Sequence, residues 1–229
     1  SLGDFILFFH PNMIDGTLNQ LEIQIFGVSP VLWISQNIKS PVLTEWLQIN
    51  YSFYFIFGTL VVFLYYFYKN ENQTDFVYFS MAFGLILSYI GYIIFPAVGP
   101  RDFFDEPNLK FLLTVKYDEP LQGLFFTQPI RETLNQLEKI KTDAFPSGHT
   151  AITLLALRHF YLLNKKVFWF LLPIGLSIIT ATVFCRYHYV IDVLAGIVLF
   201  ILILFIDRKI YHLYQKAVTA FENWRGRRL

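Results

Sequence analysis

Two uncharged apolar runs, Trp46–Tyr68 and Phe76–Phe95, dominate the first half of the chain. Each is long enough to cross a bilayer core about 30 Å thick, which takes about 20 residues in a helix. Inside lipid there is no water to satisfy the backbone, so a crossing chain must be helical or a closed barrel. The runs lack the two-residue alternation of barrel strands. They predict an all-α, polytopic membrane bundle. Three segments that are shorter or punctuated, Thr150–Leu163, Val167–Phe184 and Val190–Ile206, bring the expected spans to five. The chain begins Ser1-Leu2-Gly3 rather than with Met, and a sixth span upstream of residue 1 is expected, which would put both ends on one side.

Composition agrees. Charged residues make up 15% of the chain, against about 25% in soluble domains, and mean hydropathy is +0.47. A net charge of +1 offers no basic face for nucleic acid. The single cysteine, Cys185, has no internal disulfide partner, and packing explains it as well as reactivity does.

Basic residues orient the bundle. Lys69, Lys165-Lys166, Arg208-Lys209 and the tail residues Arg225, Arg227 and Arg228 share one side if the spans alternate, and that side should be cytoplasmic. The expected organisation is a non-cytoplasmic, interfacial segment over 1–45, a membrane domain over 46–206, and a basic cytoplasmic tail over 207–229. Gly27-Val28-Ser29-Pro30 and Ser40-Pro41 punctuate the first segment. Within the long loop 96–148, Ile130, Leu134, Leu137 and Ile140 have helical spacing. They predict a short amphipathic helix over Ile130–Ile140, part of a lid at the interface or a structural cover.

Three polar clusters then fall at one membrane face: Pro96–Arg101, Phe145–Thr150 and Cys185–Asp192. In the second, Ser147 suits a helix N-cap, and the amides around Ser147 and Gly148 favour a phosphate-like anion. His149 would stand beside that anion as a proton donor. A capped helix with a surface histidine explains the same residues. In the third, His188 and Asp192 lie one helical turn apart, so the carboxylate can fix the ring tautomer and leave one nitrogen free. Arg186 supplies a forked donor suited to phosphate, and a helix-start salt bridge is the alternative. Arg101 ends the first cluster, where an interfacial anchor is the simpler role. No spacing matches a zinc motif, so neither metal nor cofactor is expected. Arg158 and His159, far along the third span, suit snorkelling or a buried polar contact, and His10 and His212 suit the surface.

In this order the clusters resemble the type 2 phosphatidic acid phosphatase superfamily, which includes the vanadium haloperoxidases. Phe145-Pro-Ser-Gly-His149 resembles its second motif, and His188-Tyr-Val-Ile-Asp192 with Val193-Leu-Ala-Gly196 the core of its third. Ile94 stands where the first motif usually has Lys, and Thr182 where the third usually has Arg. Gly99-Pro-Arg101 and Arg186-Tyr-His-Tyr189 look instead like the branch of inositolphosphotransferases and inositolphosphorylceramide synthase-like enzymes.

The resemblance implies a metal-independent phosphoryl transfer. His188 would be the nucleophile oriented by Asp192, His149 would protonate the leaving oxygen, and Arg101, Arg186, Ser147 and Gly148 would hold the phosphate. The expected activity is a phosphatase of a lipid phosphate or diphosphate at the periplasmic, extracellular or lumenal face. The first alternative is a lipid phosphotransferase using the same histidines. The second is a transporter, which would place its ionisable residues near the midplane.

Overall fold

The computed structural model describes residues 13–105, 117, 121–137 and 142–226. His10, Ile140 and most of the loop after Asp105 lie outside them. The described residues form ten helices and no strand: α1 (Asp15–Phe26), α2 (Pro30–Asn37), α3 (Pro41–Ser52), α4 (Tyr54–Tyr68), α5 (Glu71–Ile94), α6 (Pro100–Asp105), α7 (Thr127–Leu137), α8 (Gly148–Leu163), α9 (Lys165–Phe184) and α10 (Val190–Gly226).

Local chemistry sets most boundaries. Gly27 closes α1 in the left-handed conformation, φ 78°, and Pro30 starts α2 at a position that needs no amide. Ser40 caps α3, Asn70 caps α5 and Asn164 caps α9. The expected span Trp46–Tyr68 is two helices that start earlier, at Pro41, and bend by 47° between Ser52 and Tyr54. The tail expected from residue 207 continues α10 without a break. No glycine or proline occurs between Asp207 and Arg225 to stop it.

Three helices are long and apolar enough to cross a membrane, α5, α9 and α10, and the bent pair α3–α4 makes up to four. Five or six is not confirmed. The expected span at Thr150–Leu163 is α8, whose 16 residues reach about 24 Å, short of a bilayer core. Instead α8 is the bundle's axis, packed against α4, α5, α9 and α10. Its Ile152, Leu155 and Phe160 are buried among Phe57, Val61, Met81, Ile178 and Ile203. Close approach needs small partners: a methyl on Gly175 would lie 2.9 Å from Leu157.

The predicted amphipathic helix is present as α7, starting three residues earlier than its apolar spacing indicated, and its expected end at Ile140 lies outside the described residues. Its start is set by Glu45, on α3. The carboxylate accepts from the amides of Leu124, Phe125, Phe126 and Thr127, and from the Thr127 hydroxyl at 2.6 Å.

Candidate active site

The C-terminal ends of α5 and α9 and the N-terminal ends of α8 and α10 meet at one end of the bundle. Backbone pairing joins the three polar clusters there. Ala144 N donates to Ala97 O at 3.0 Å, linking the first to the segment that leads into α8. Ser147 N donates to Asp192 O at 3.0 Å, linking the second to the third. Two glycines permit the closeness. Gly99 has φ 83°, and a methyl there would lie 2.4 Å from Tyr187 O. One on Gly196 would lie 2.5 Å from Ser147 O.

His149 and His188 face one another, Nδ1 to Nε2, at 3.1 Å. The other nitrogen of His188, Nδ1, lies 2.8 Å from Ala144 O and 3.4 Å from Asp192 Oδ2. A carbonyl can only accept, so His188 carries its proton on Nδ1 and presents a lone pair at Nε2, toward His149 Nδ1–H. Asp192 is fully buried, and its Oδ2 also accepts from Tyr189 N at 2.8 Å. The expected His188–Asp192 contact is therefore present, but the nearer partner of the ring is a backbone carbonyl.

Ser147 caps α8, its Oγ accepting from Thr150 N at 3.2 Å. The Ser147 amide is taken by Asp192 O, and the Tyr92 hydroxyl lies against Gly148. One of the two amides expected to cradle a phosphate is thus already satisfied from within, and an anion at this terminus must compete for it.

The two arginines part company. Arg101 lies over Tyr187, its guanidinium 4.9 Å from the ring centre and 3.5 Å from Asp102, and its charge acts on Asp143 together with that of His188. For Arg186 the structure differs from the expectation. Its backbone is left-handed, φ 69°, and its side chain reaches Ser35 Oγ at 3.1 Å and lies 3.9 Å over the Tyr117 ring. It lines a cavity of about 220 Å³ with Ser35, Lys39, Ser40 and Thr44, and neither histidine lines that cavity. Spacing in the sequence could place the cation near His188 but not aim it.

Other groups at the site escaped the sequence reading. His149 stacks on Tyr51, at 4.9 Å, and meets the Tyr54 ring, tilted by 43°, at 4.1 Å. Tyr51 stacks in turn on Tyr187 at 4.2 Å, whose hydroxyl is held by Gln48. Arg131 of α7 reaches the Tyr187 ring at 5.8 Å and donates to Cys185 O at 3.2 Å. Burial raises the Asp143 carboxyl above the ordinary range, against the opposing charges of His188 and Arg101. Cys185 is a packing residue: fully buried, its thiol is pushed up to about 12.

Helix α1 rivets the site from outside. Asp15 accepts from Val98 N at 3.0 Å, from Gly99 N at 2.9 Å and from the Tyr189 hydroxyl at 3.3 Å. Two turns on, Glu22 accepts from Ile191 N at 3.1 Å and so caps α10. Burial raises Asp15 to about 6 and Glu22 to about 7, more than these hydrogen bonds lower them.

The family pattern of the PAP2 superfamily matches residues 23–206, which hold the whole site apart from Asp15 and Glu22. The chain belongs to the PAP2 superfamily. A relative in Dictyostelium discoideum, a PA-phosphatase related-family protein, is 32% identical over 108 residues. That stretch is 46% of this chain and 18% of the relative, so the chain matches under a fifth of that protein's length. No solved structure matches. Among the described residues, no group of three His, Cys, Asp or Glu side chains is placed to hold a metal ion.

Proposed function

We propose that the chain is an integral-membrane, metal-independent lipid phosphate or diphosphate phosphatase that works through a phosphohistidine at His188. Membership of the PAP2 superfamily supports phosphatase-type chemistry in general. One observation carries the finer reading: His188 is held at Nδ1 while its Nε2 lone pair faces a second imidazole at 3.1 Å. That is the geometry of an oriented nucleophile beside a proton donor.

A phosphoryl group would enter by parting the two rings. His188 Nε2 attacks phosphorus, the bond from phosphorus to the lipid oxygen breaks, and His149, as an imidazolium, gives one proton to that oxygen and becomes neutral. Water then attacks phosphorus, the phosphorus–nitrogen pair returns to His188 Nε2, and His149 takes a proton from the water as inorganic phosphate leaves. Arg101 offsets the charge that accumulates on the phosphoryl oxygens. The Ala144 carbonyl and Asp192 keep the ring oriented and stabilise its positive charge. By the distribution of basic residues this site faces away from the cytoplasm, with α7 lying over the site as a lid.

A phosphotransferase differs in what resolves the intermediate, an alcohol in place of water. Gly99-Pro-Arg101 and Arg186-Tyr-His-Tyr189, which look like the inositolphosphotransferase branch, support keeping this second reading. Purified protein is incubated with a ³²P-labelled lipid phosphate, with and without candidate alcohols, and quenched for acid-labile, base-stable phosphoprotein. Labelled inorganic phosphate with a trapped phosphohistidine is the expected result. Transfer of label to an added alcohol would select the transferase. Turnover lost on chelation and restored by zinc would overturn the mechanism.

A further inference from the structure

A second, larger cavity of about 420 Å³ lies at the end of the bundle opposite the histidine pair. From Val190, where α10 starts beside His188, to Arg208 on its wall is about 27 Å along the helix. The volume is in the range of small-molecule and headgroup pockets. Two permanent cations from different elements line it, Lys69 after α4 and Arg208 on α10, and no carboxylate does. His159 and His212 add ring nitrogens. Phe76, Val77 and Leu162 make one part of the wall apolar, and Asn72, Gln73, Tyr65 and Tyr211 add neutral polar groups.

The charges here are built in rather than neutralised by neighbours. The Arg208 guanidinium lies 5.5 Å over the Phe76 ring. Asp207, the carboxylate beneath, is fully buried and already engaged. It accepts from Ser80 Oγ at 3.0 Å and from the Arg208 amide at 2.6 Å, and it pairs with Arg158 at 3.7 Å. His159 Nε2 meets the same Ser80 hydroxyl at 3.4 Å. Asp75 stands near Tyr211 but is solvent-exposed and outside the lining. A pocket with two cations, no lining acid and an apolar wall fits one ligand chemistry: an anionic phosphate group attached to hydrocarbon.

We propose that this cavity binds the phosphodiester headgroup of an anionic phospholipid, at a site separate from the histidine pair. Lys69 and Arg208 pair with the phosphate, and the lipid's first methylenes lie against Leu162 and Val77. The lipid is a phosphodiester and is bound, not consumed.

The full chain is placed in nanodiscs of phosphatidylcholine doped with phosphatidylglycerol, extracted into mild detergent, and its retained lipids are counted by native mass spectrometry. One phosphatidylglycerol is expected to persist. Lys69→Gln with Arg208→Gln should weaken retention about 10-fold or more, since each basic group near a membrane surface contributes about fivefold to anionic-lipid affinity. Leu162→Trp, which fills the cavity without changing charge, should do the same and keeps the test valid if the double variant misfolds. Lys209→Gln, outside the lining, should retain the lipid. Unchanged retention in the first two variants would overturn the proposal. So would equal loss in Lys209→Gln, which would mean a diffuse field, or saturable binding of inorganic phosphate with no preference for the anionic lipid. The readout does not involve turnover, so it stands or falls apart from the phosphatase reading.

Discussion

Each end of the bundle buries a histidine close to an aspartate, yet the two arrangements serve different ends. At one, His188 has Asp192 and a carbonyl behind it and a second imidazole in front. At the other, His159 meets the Ser80 hydroxyl, whose proton already goes to Asp207. In the second network the aspartate is consumed, by the Ser80 hydroxyl, the Arg208 amide and Arg158. The first has one ring nitrogen whose partner can move aside for a substrate. A buried His–Asp pair is therefore not a catalytic signature in itself; what matters is whether a lone pair faces something displaceable.

That contrast breaks if the wrong histidine matters. His188→Ala should reduce turnover of a lipid phosphate to background and remove any trappable phosphoprotein, whereas His159→Phe should keep both. His149→Ala should slow a lipid substrate by about 10²–10⁴-fold, the usual worth of a placed proton donor. With a nitrophenyl phosphate, whose leaving group scarcely needs a proton, the loss should be much smaller. Equal losses on both substrates would deny His149 the acid role. Asp192→Asn should cost less than either histidine, because the Ala144 carbonyl still holds Nδ1. A loss as deep as that of His188→Ala would show that the carboxylate, not the carbonyl, sets the ring.

At the His159 end, Ser80→Ala should leave turnover within about twofold while removing a donor from a buried carboxylate, a destabilisation of about 1–3 kcal/mol. Thermal unfolding in detergent measures it. The smallest effect concerns α1. Asp15 and Glu22 have folded pKa values raised to about 6 and about 7 from 3.8 and 4.5, so the native state holds more protons than the unfolded chain between these limits. Their protonation therefore favours folding fully below about pH 4, and that contribution is lost as pH rises through 6 to 7. Asp15→Asn with Glu22→Gln should flatten the fall in melting temperature across that window; an unchanged slope would place the titration elsewhere.

The residues that were legible in the sequence are those whose partners are near in sequence or whose chemistry is rare in an apolar chain. His188 and Asp192 are one turn apart, and Ser147 caps the helix it precedes. Asp15, Glu22 and Glu45 were not legible, because each satisfies backbone amides about 80 or more residues away, and an amide carries no sequence mark. Tyr51 and Tyr54 were hidden for the opposite reason. In a chain with 14 Tyr and 26 Phe, two more rings in an apolar run say nothing about which one stacks on His149. The five-span expectation counted α8 by its apolarity, but apolarity also describes a helix buried by its neighbours.

The unbroken α10 acts as a ruler. Its 37 residues extend about 55 Å, nearly twice a hydrocarbon core of about 30 Å. At the usual tilt of about 20°, a rigid rod of that length anchored beside His188 cannot be hidden in lipid, so its final turns must protrude. With Trp33, Trp46 and Trp169 replaced by Phe, Trp224 near the far tip is then a fluorescent gauge: how strongly brominated acyl chains quench it reports the angle at which the whole assembly stands in its membrane.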